Sequence, residues 1–150
     1  MKNRVFVAFG MTLVLGLGAA AFAQPADPIA TRQALMKQNG KDAKAGAAMA
    51  KGEVPYDAAR AAMIFKDMNE VANNYGKHFP ANSQTGGDTE AAPAIWTKPA
   101  EFKAALAKFQ ADTKAAMAAK PATVEAFRVQ FGAVTSNCKN CHESFRVKKD

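Results

Sequence analysis

From Val124 to Phe145, the residues Val124, Phe127, Phe131, Val134, Cys138, Cys141 and Phe145 recur at alternating three- and four-residue steps, and His142 follows Cys141 on nearly the same face. Only a helix with one covered face turns that spacing into a continuous stripe. Two cysteines and a histidine interrupt the apolar run, so whatever packs against this face must satisfy chemistry as well as hydrophobicity. Thr123 supplies an N-cap at its start.

One such helix cannot bury its stripe alone, and three more segments share the pattern. A first helix is expected to follow Asp27 as N-cap, with Pro28 at the first helical position, where its missing N–H is harmless. Ile29, Gln33, Met36 and Gly40 share one face, and the pattern runs on through Ala43, Ala47 and Met49 to a stop at Gly52. Asn39-Gly40 is the weak point of that helix. A second helix opens at Asp57, with Ala61, Ile64, Phe65, Met68, Val71, Ala72 and Tyr75 as its apolar face. A third runs from Pro99 to about Ala119 with Phe102, Leu106, Phe109, Thr113 and Met117 along one side, and Lys120-Pro121 ends it. Between Gly76 and Thr97, Pro80, Gly86-Gly87 and Pro93 break any periodicity. That connection is long enough to suggest a wrapping or functional role.

No segment alternates with period two, and alanine is abundant, so the fold class is all-α. Four amphipathic helices are most simply satisfied by an antiparallel four-helix bundle, and the long second connection would also permit a crossover. The chain has 150 residues, 49% of them hydrophobic and 22% charged, which suits one globular domain and excludes wholesale disorder.

The start of the chain bears on where that domain works. Met1-Lys2-Asn3-Arg4 is short and basic, an uncharged run follows from Val5 to Leu17, and small residues end in Ala21-Phe22-Ala23. These are the three parts of a secretory signal peptide, residues 1–23, cleaved before Gln24. A membrane anchor is the competing reading of Val5–Ala23, but its glycines and small-residue end favour cleavage. The expectation is a soluble domain over residues 24–150, exported to the periplasm and with no membrane attachment once the signal is gone. Without Lys2 and Arg4 the domain carries 18 basic and 13 acidic residues, a formal +5. That is too mild for a nucleic-acid-binding stripe.

Cys138-Lys139-Asn140-Cys141-His142 is a c-type haem attachment motif. Positions three apart on a helix point the same way, so both sulfurs can form thioethers with one edge of a macrocycle. The adjacent imidazole of His142 can then reach the iron as an axial ligand. A zinc site would need more ligands than two cysteines and two histidines, and His78 lies far off beside Phe79-Pro80, where it reads as a loop residue. A thioredoxin-like pair belongs near a βαβ unit, which is not predicted. A disulfide across one helical turn would be strained. One covalent haem c, held by Cys138 and Cys141, is the expected cofactor.

A single C-x-x-C-H on the last of four alanine-rich helices resembles the cytochrome c′ family, the class II cytochromes c. Arg32-Gln33 followed by Met36, Lys51-Gly52-Glu53-Val54-Pro55-Tyr56, Gly86-Gly87-Asp88, Ile95-Trp96 and Cys138 to Arg146 extend the resemblance over nearly all of residues 24–150. It implies a left-handed antiparallel bundle, usually a homodimer, with haem between the helices. It also places Arg32 and Gln33 beside the haem propionates, the Asp88 loop over the same edge, and Arg146 near the proximal imidazole. Against these stand plainer local roles: a solvated Arg32, turn chemistry at Asp88, and a basic tail of Arg146 with Lys148-Lys149.

In the same resemblance, Met36 falls where the distal face of the haem is capped. An unbound plug would leave five-coordinate, high-spin iron open to nitric oxide and carbon monoxide, and this form is the one expected. Ligation by the Met36 sulfur would instead give a low-spin one-electron carrier docking to periplasmic redox partners through Lys139, Lys148 and Lys149. Core packing by a flexible methionine is the third role open to it. Few polar donors are expected on the distal face. An enzymatic role such as a peroxidase is disfavoured, because no acid–base residue falls at helical spacing near Met36. Glu53, Glu70 and Glu101 read as solvated helix faces.

Overall fold

The computed structural model describes residues 27–148, and the leader with its cleavage site at Gln24 lies outside them, as does Lys149. Helix α1 spans Pro28–Lys51, α2 Ala58–Tyr75, α3 Ala94–Thr97, α4 Pro99–Ala119 and α5 Val124–Phe145. The four long helices form an antiparallel bundle in which α1 packs on α2 and α5, and α4 packs on the same two.

Local chemistry sets the helix ends. The Asp27 carboxylate accepts from the Ile29 amide at 2.8 Å, Asp57 accepts from the amides of Ala59 and Arg60, and the Thr123 hydroxyl accepts from Ala126. Each satisfies amides that the first turn leaves without an intrahelical partner. Gly52 closes α1 at φ 76°, while the Glu53 amide donates to Ala48 across the last turn. A glycine takes that left-handed conformation without steric cost. Asn39-Gly40 does not interrupt α1, whose tertiary packing outweighs weak local propensity.

Ile64, Phe65, Met68, Phe109, Phe127, Phe131 and Val134 fill the main core. Phe127 stacks on Phe131 with centroids 5.2 Å apart and meets Phe65 at a tilt. The Phe131 ring lies so close to Gly46 that a Cβ there would sit 2.2 Å from it, so α1 and α5 approach through the missing side chain. At this end of the bundle the two short turns meet, and the Tyr56 hydroxyl donates to the Pro121 carbonyl at 2.6 Å. On α4 the expected face is shifted near its end: Ala116 is buried, and Met117 is 37% exposed.

The 76–97 connection is more ordered than its sequence suggests. It contains two 3₁₀ turns, Gly76–His78 and Ala81–Ser83, as well as α3. Phe79 packs edge-on against Tyr75, Trp96 and Phe102, and Phe102 against Phe145. Farther along, Ala91 and Arg146 form an antiparallel bridge, with Ala92 N–H donating to Phe145 and Val147 N–H to Glu90. The connection is thereby strapped across the C-terminal end of α5.

Candidate functional site

Under this strap the helices part around a cavity of about 540 Å³, within the roughly 300–1,000 Å³ of ligand and cofactor sites. Cys138, Cys141, His142 and Phe145 of α5 form one wall; Phe102, Ala105, Leu106 and Phe109 of α4 form another. Met36, Asn39, Gly40 and Ala43 form a stripe along α1, and Tyr75, Ile95 and the 88–91 segment complete the lining. Arg32, Gln33, Met36, Asp88, Cys138, Cys141, His142 and Arg146, the eight residues singled out by sequence, all border this one cavity.

The two cysteines are half-buried and not joined to each other. Burial raises both thiol pKa values, and the neighbouring Cys138 adds to the shift at Cys141. Both sulfurs lie on one edge of the cavity. Burial lowers the His142 pKa, Arg146 lowers it further, and Glu90 opposes both. That direction favours the neutral imidazole, the form that can ligate a metal. A mostly apolar cavity with two thiols and an imidazole on one wall fits a haem attached through that wall.

Arg32 is almost fully buried and holds the strap from inside. Nη1 donates to the His78 carbonyl at 3.1 Å and the Ser83 hydroxyl at 2.9 Å. Nη2 donates to the Ser83 carbonyl at 2.8 Å and to Thr89 Oγ1 at 2.6 Å. The guanidinium also lies 4.8 Å from the Phe79 ring centroid, a cation–π contact. Burial lowers its pKa, but the group stays charged because the ordinary value is so high. The solvated reading of Arg32 is thus excluded, and its terminal nitrogens are engaged by the protein itself.

Gln33 is exposed and donates to the Gly87 carbonyl at 2.9 Å, fastening the Gly86-Gly87-Asp88 turn to α1. Asp88 adopts φ 53°, the left-handed conformation that aspartate tolerates better than most residues. Arg146 pairs with Glu90 through Nε at 2.5 Å, so it belongs to the strap and is not part of a loose basic tail.

Three lining residues escaped the sequence reading. Tyr75 was recognised only as part of an apolar face; burial, reinforced by Cys141, pushes its hydroxyl up to about 12. Asn137 anchors α5 by donating to Asp112 on α4 at 2.7 Å. Asn39 adds a polar group to the lining three residues beyond Met36 on the same stripe. That three-residue spacing was the available signal, but Asn39 drew attention as the weak point of the helix and not as a lining residue.

The family model described as "Cytochrome C'" matches residues 27–146. A cytochrome c′ from Rhodopseudomonas palustris is 41% identical over 155 residues, covering 99% of each chain. The solved structure of cytochrome c′ from R. palustris superposes with a TM-score of 0.80 at 38% identity, covering 84% of this chain and 100% of that one. A nitric oxide complex of a mutant cytochrome c′ from Alcaligenes xylosoxidans superposes at 0.73 with 29% identity, covering 85% and 99%. Fold, cavity, sequence and structural neighbours agree: this chain belongs to the cytochrome c′ family, whose members carry a covalently attached c-type haem.

Proposed function

We propose that residues 24–150 work in the periplasm, after removal of residues 1–23, as a haem c protein that binds small neutral gases, nitric oxide and carbon monoxide among them. Cys138 and Cys141 would hold the haem through thioethers, and His142 would be the axial ligand. Bound there, the haem would supply a redox-active iron able to take a diatomic ligand. The observation that carries the reading is the cavity itself, with the cysteines and His142 on the α5 wall and half-buried Met36 on α1. A relative with a TM-score of 0.73 is described as a nitric oxide complex, which supports the same use here.

In this reading Met36 caps the distal side, and the apolar α4 wall excludes bulk water. Arg32 contributes positive charge near the propionate edge while holding the strap, and Gln33, Asp88 and Arg146 keep that edge closed. The role is one of binding and of electron transfer, without catalysis of a substrate reaction. Among the described residues no helix is long and apolar enough to cross a membrane. Exposed Lys139 and Lys148 near the α5 end suit acidic redox partners. Met63, 51% exposed on α2, suits pairing of two chains.

The second reading, Met36 and His142 as the two axial ligands of an electron carrier, is favoured by their bordering the same cavity. Absorption spectra of ferric and ferrous protein, with and without carbon monoxide, separate the two. Gas binding predicts high-spin spectra and a carbon monoxide adduct in the wild type. A sulfur-to-iron charge-transfer band in the far red, with ferrous protein indifferent to carbon monoxide, would overturn it in favour of Met36 ligation.

A further inference from the structure

Among the described residues, one buried side-chain polar atom has no hydrogen-bond partner, and it lies in the wall of this cavity. It is Oδ1 of Asn39, a residue only 8% exposed. Leaving a buried acceptor unmet is destabilising, and leucine would fill the same position without that cost. The other two side-chain amides on the cavity wall are engaged, Gln33 by the Gly87 carbonyl and Asn137 by Asp112 and the carbonyls of Ala133 and Val134. Arg32 is engaged by the strap. Asn39 is one helical turn from Met36, so both border the cavity along the same side of α1.

We propose that Asn39 is a specificity-determining residue of the α1 wall, whose carboxamide holds a small hydrogen-bonding ligand in the cavity beside Met36. This rests on the reading that the cavity admits small ligands. The amide rotates to present either its oxygen or its NH₂ group, so it serves a donor or an acceptor. The unmet oxygen favours a ligand that donates, and with the amide turned to present its NH₂ group the cavity favours ligands that accept a hydrogen bond over apolar ones of the same size. Polar discrimination in this pocket comes from α1 and not from a distal histidine.

The test uses holoprotein in four forms: wild type, Asn39→Leu, and each of these on a Met36→Ala background. Azide is titrated into the ferric protein and carbon monoxide into the ferrous protein, and the carbon monoxide stretch is recorded by infrared absorption. Loss of a hydrogen bond to an anion weakens azide binding by about 10-fold or more, because such bonds contribute about 1.5–3 kcal/mol. Carbon monoxide, a poor acceptor, should keep its affinity within about twofold, while its stretch moves to higher frequency as the nearby donor is lost. An unchanged azide-to-carbon monoxide ratio together with an unchanged stretch overturns the proposal.

The Met36→Ala background opens the distal side whatever Met36 does. Carbon monoxide binding only on that background would overturn the gas-binding reading, and Asn39 would still be judged there by the same ratio. Should Asn39→Leu fold poorly, Asn39→Ala takes its place with the same expected changes.

Discussion

Replacing Arg32 with methionine keeps a long, flexible stem against Phe79 and removes the charge and all its donors. Four hydrogen bonds disappear, two to hydroxyls and two to main-chain carbonyls. The hydroxyls fare better, since Ser83 still donates to Pro80 and Thr89 still accepts from Ala91. The carbonyls of His78 and Ser83 lose their guanidinium partner, at about 1–3 kcal/mol each if no other is found. Relief from burying a guanidinium offsets part of this. The net expectation is a loss of about 2–4 kcal/mol in the unfolding free energy of the holoprotein, read from urea denaturation followed by circular dichroism. Hydrogen exchange should localise the damage, with amides of residues 78–91 exchanging faster and those of the 58–72 core unchanged. Arg32→Lys keeps the charge but not the fork of donors, and should recover less than half of the loss. A change below about 0.5 kcal/mol for Arg32→Met, or uniform acceleration of exchange, would refute the claim that Arg32 pins the strap.

Gly46→Ala should destabilise the fold by about 1 kcal/mol, because overpacking costs about 1–3 kcal/mol and exceeds the helix-propensity gain of about 0.8–1 kcal/mol. The new Cβ would meet the Phe131 ring at 2.2 Å, and a measured gain in thermal stability would show that the ring yields freely. Asp112 is held below the usual carboxylate range by hydrogen bonds from Asn137 and then Lys108. Its contribution is thus present above the unfolded value of about 3.9 and is lost as pH falls through the lower folded value. Asp112→Ala should therefore cost about 1–2 kcal/mol at neutral pH, and its melting temperature should converge on the wild type as pH falls below about 4. Parallel curves would refute the linkage.

The parts of the molecule legible in sequence are those fixed by local chemistry. Asp27, Gly52, Asp57 and Thr123 mark helix ends because capping involves only neighbours in the chain. Cys138, Cys141 and His142 could be placed on one side of the cavity because residues three and four apart on a helix share a face. Arg32 illustrates the limit: its partners lie 46 to 57 residues away, and no periodicity announces them. The connection read as irregular because its order comes from those same contacts and from the pairing with α5. On α4 the periodicity was right, but a one-residue drift exchanged Met117 for Ala116, since alanine-rich helices leave the exact phase to the neighbouring side chains.

The bond between Tyr56 and Pro121 joins the two tight turns at the end remote from the cysteines. Packing of Phe65, Phe127 and Phe131 needs nothing from the cofactor. That end can accordingly close on the packing of its own side chains, independently of the strap at the other end.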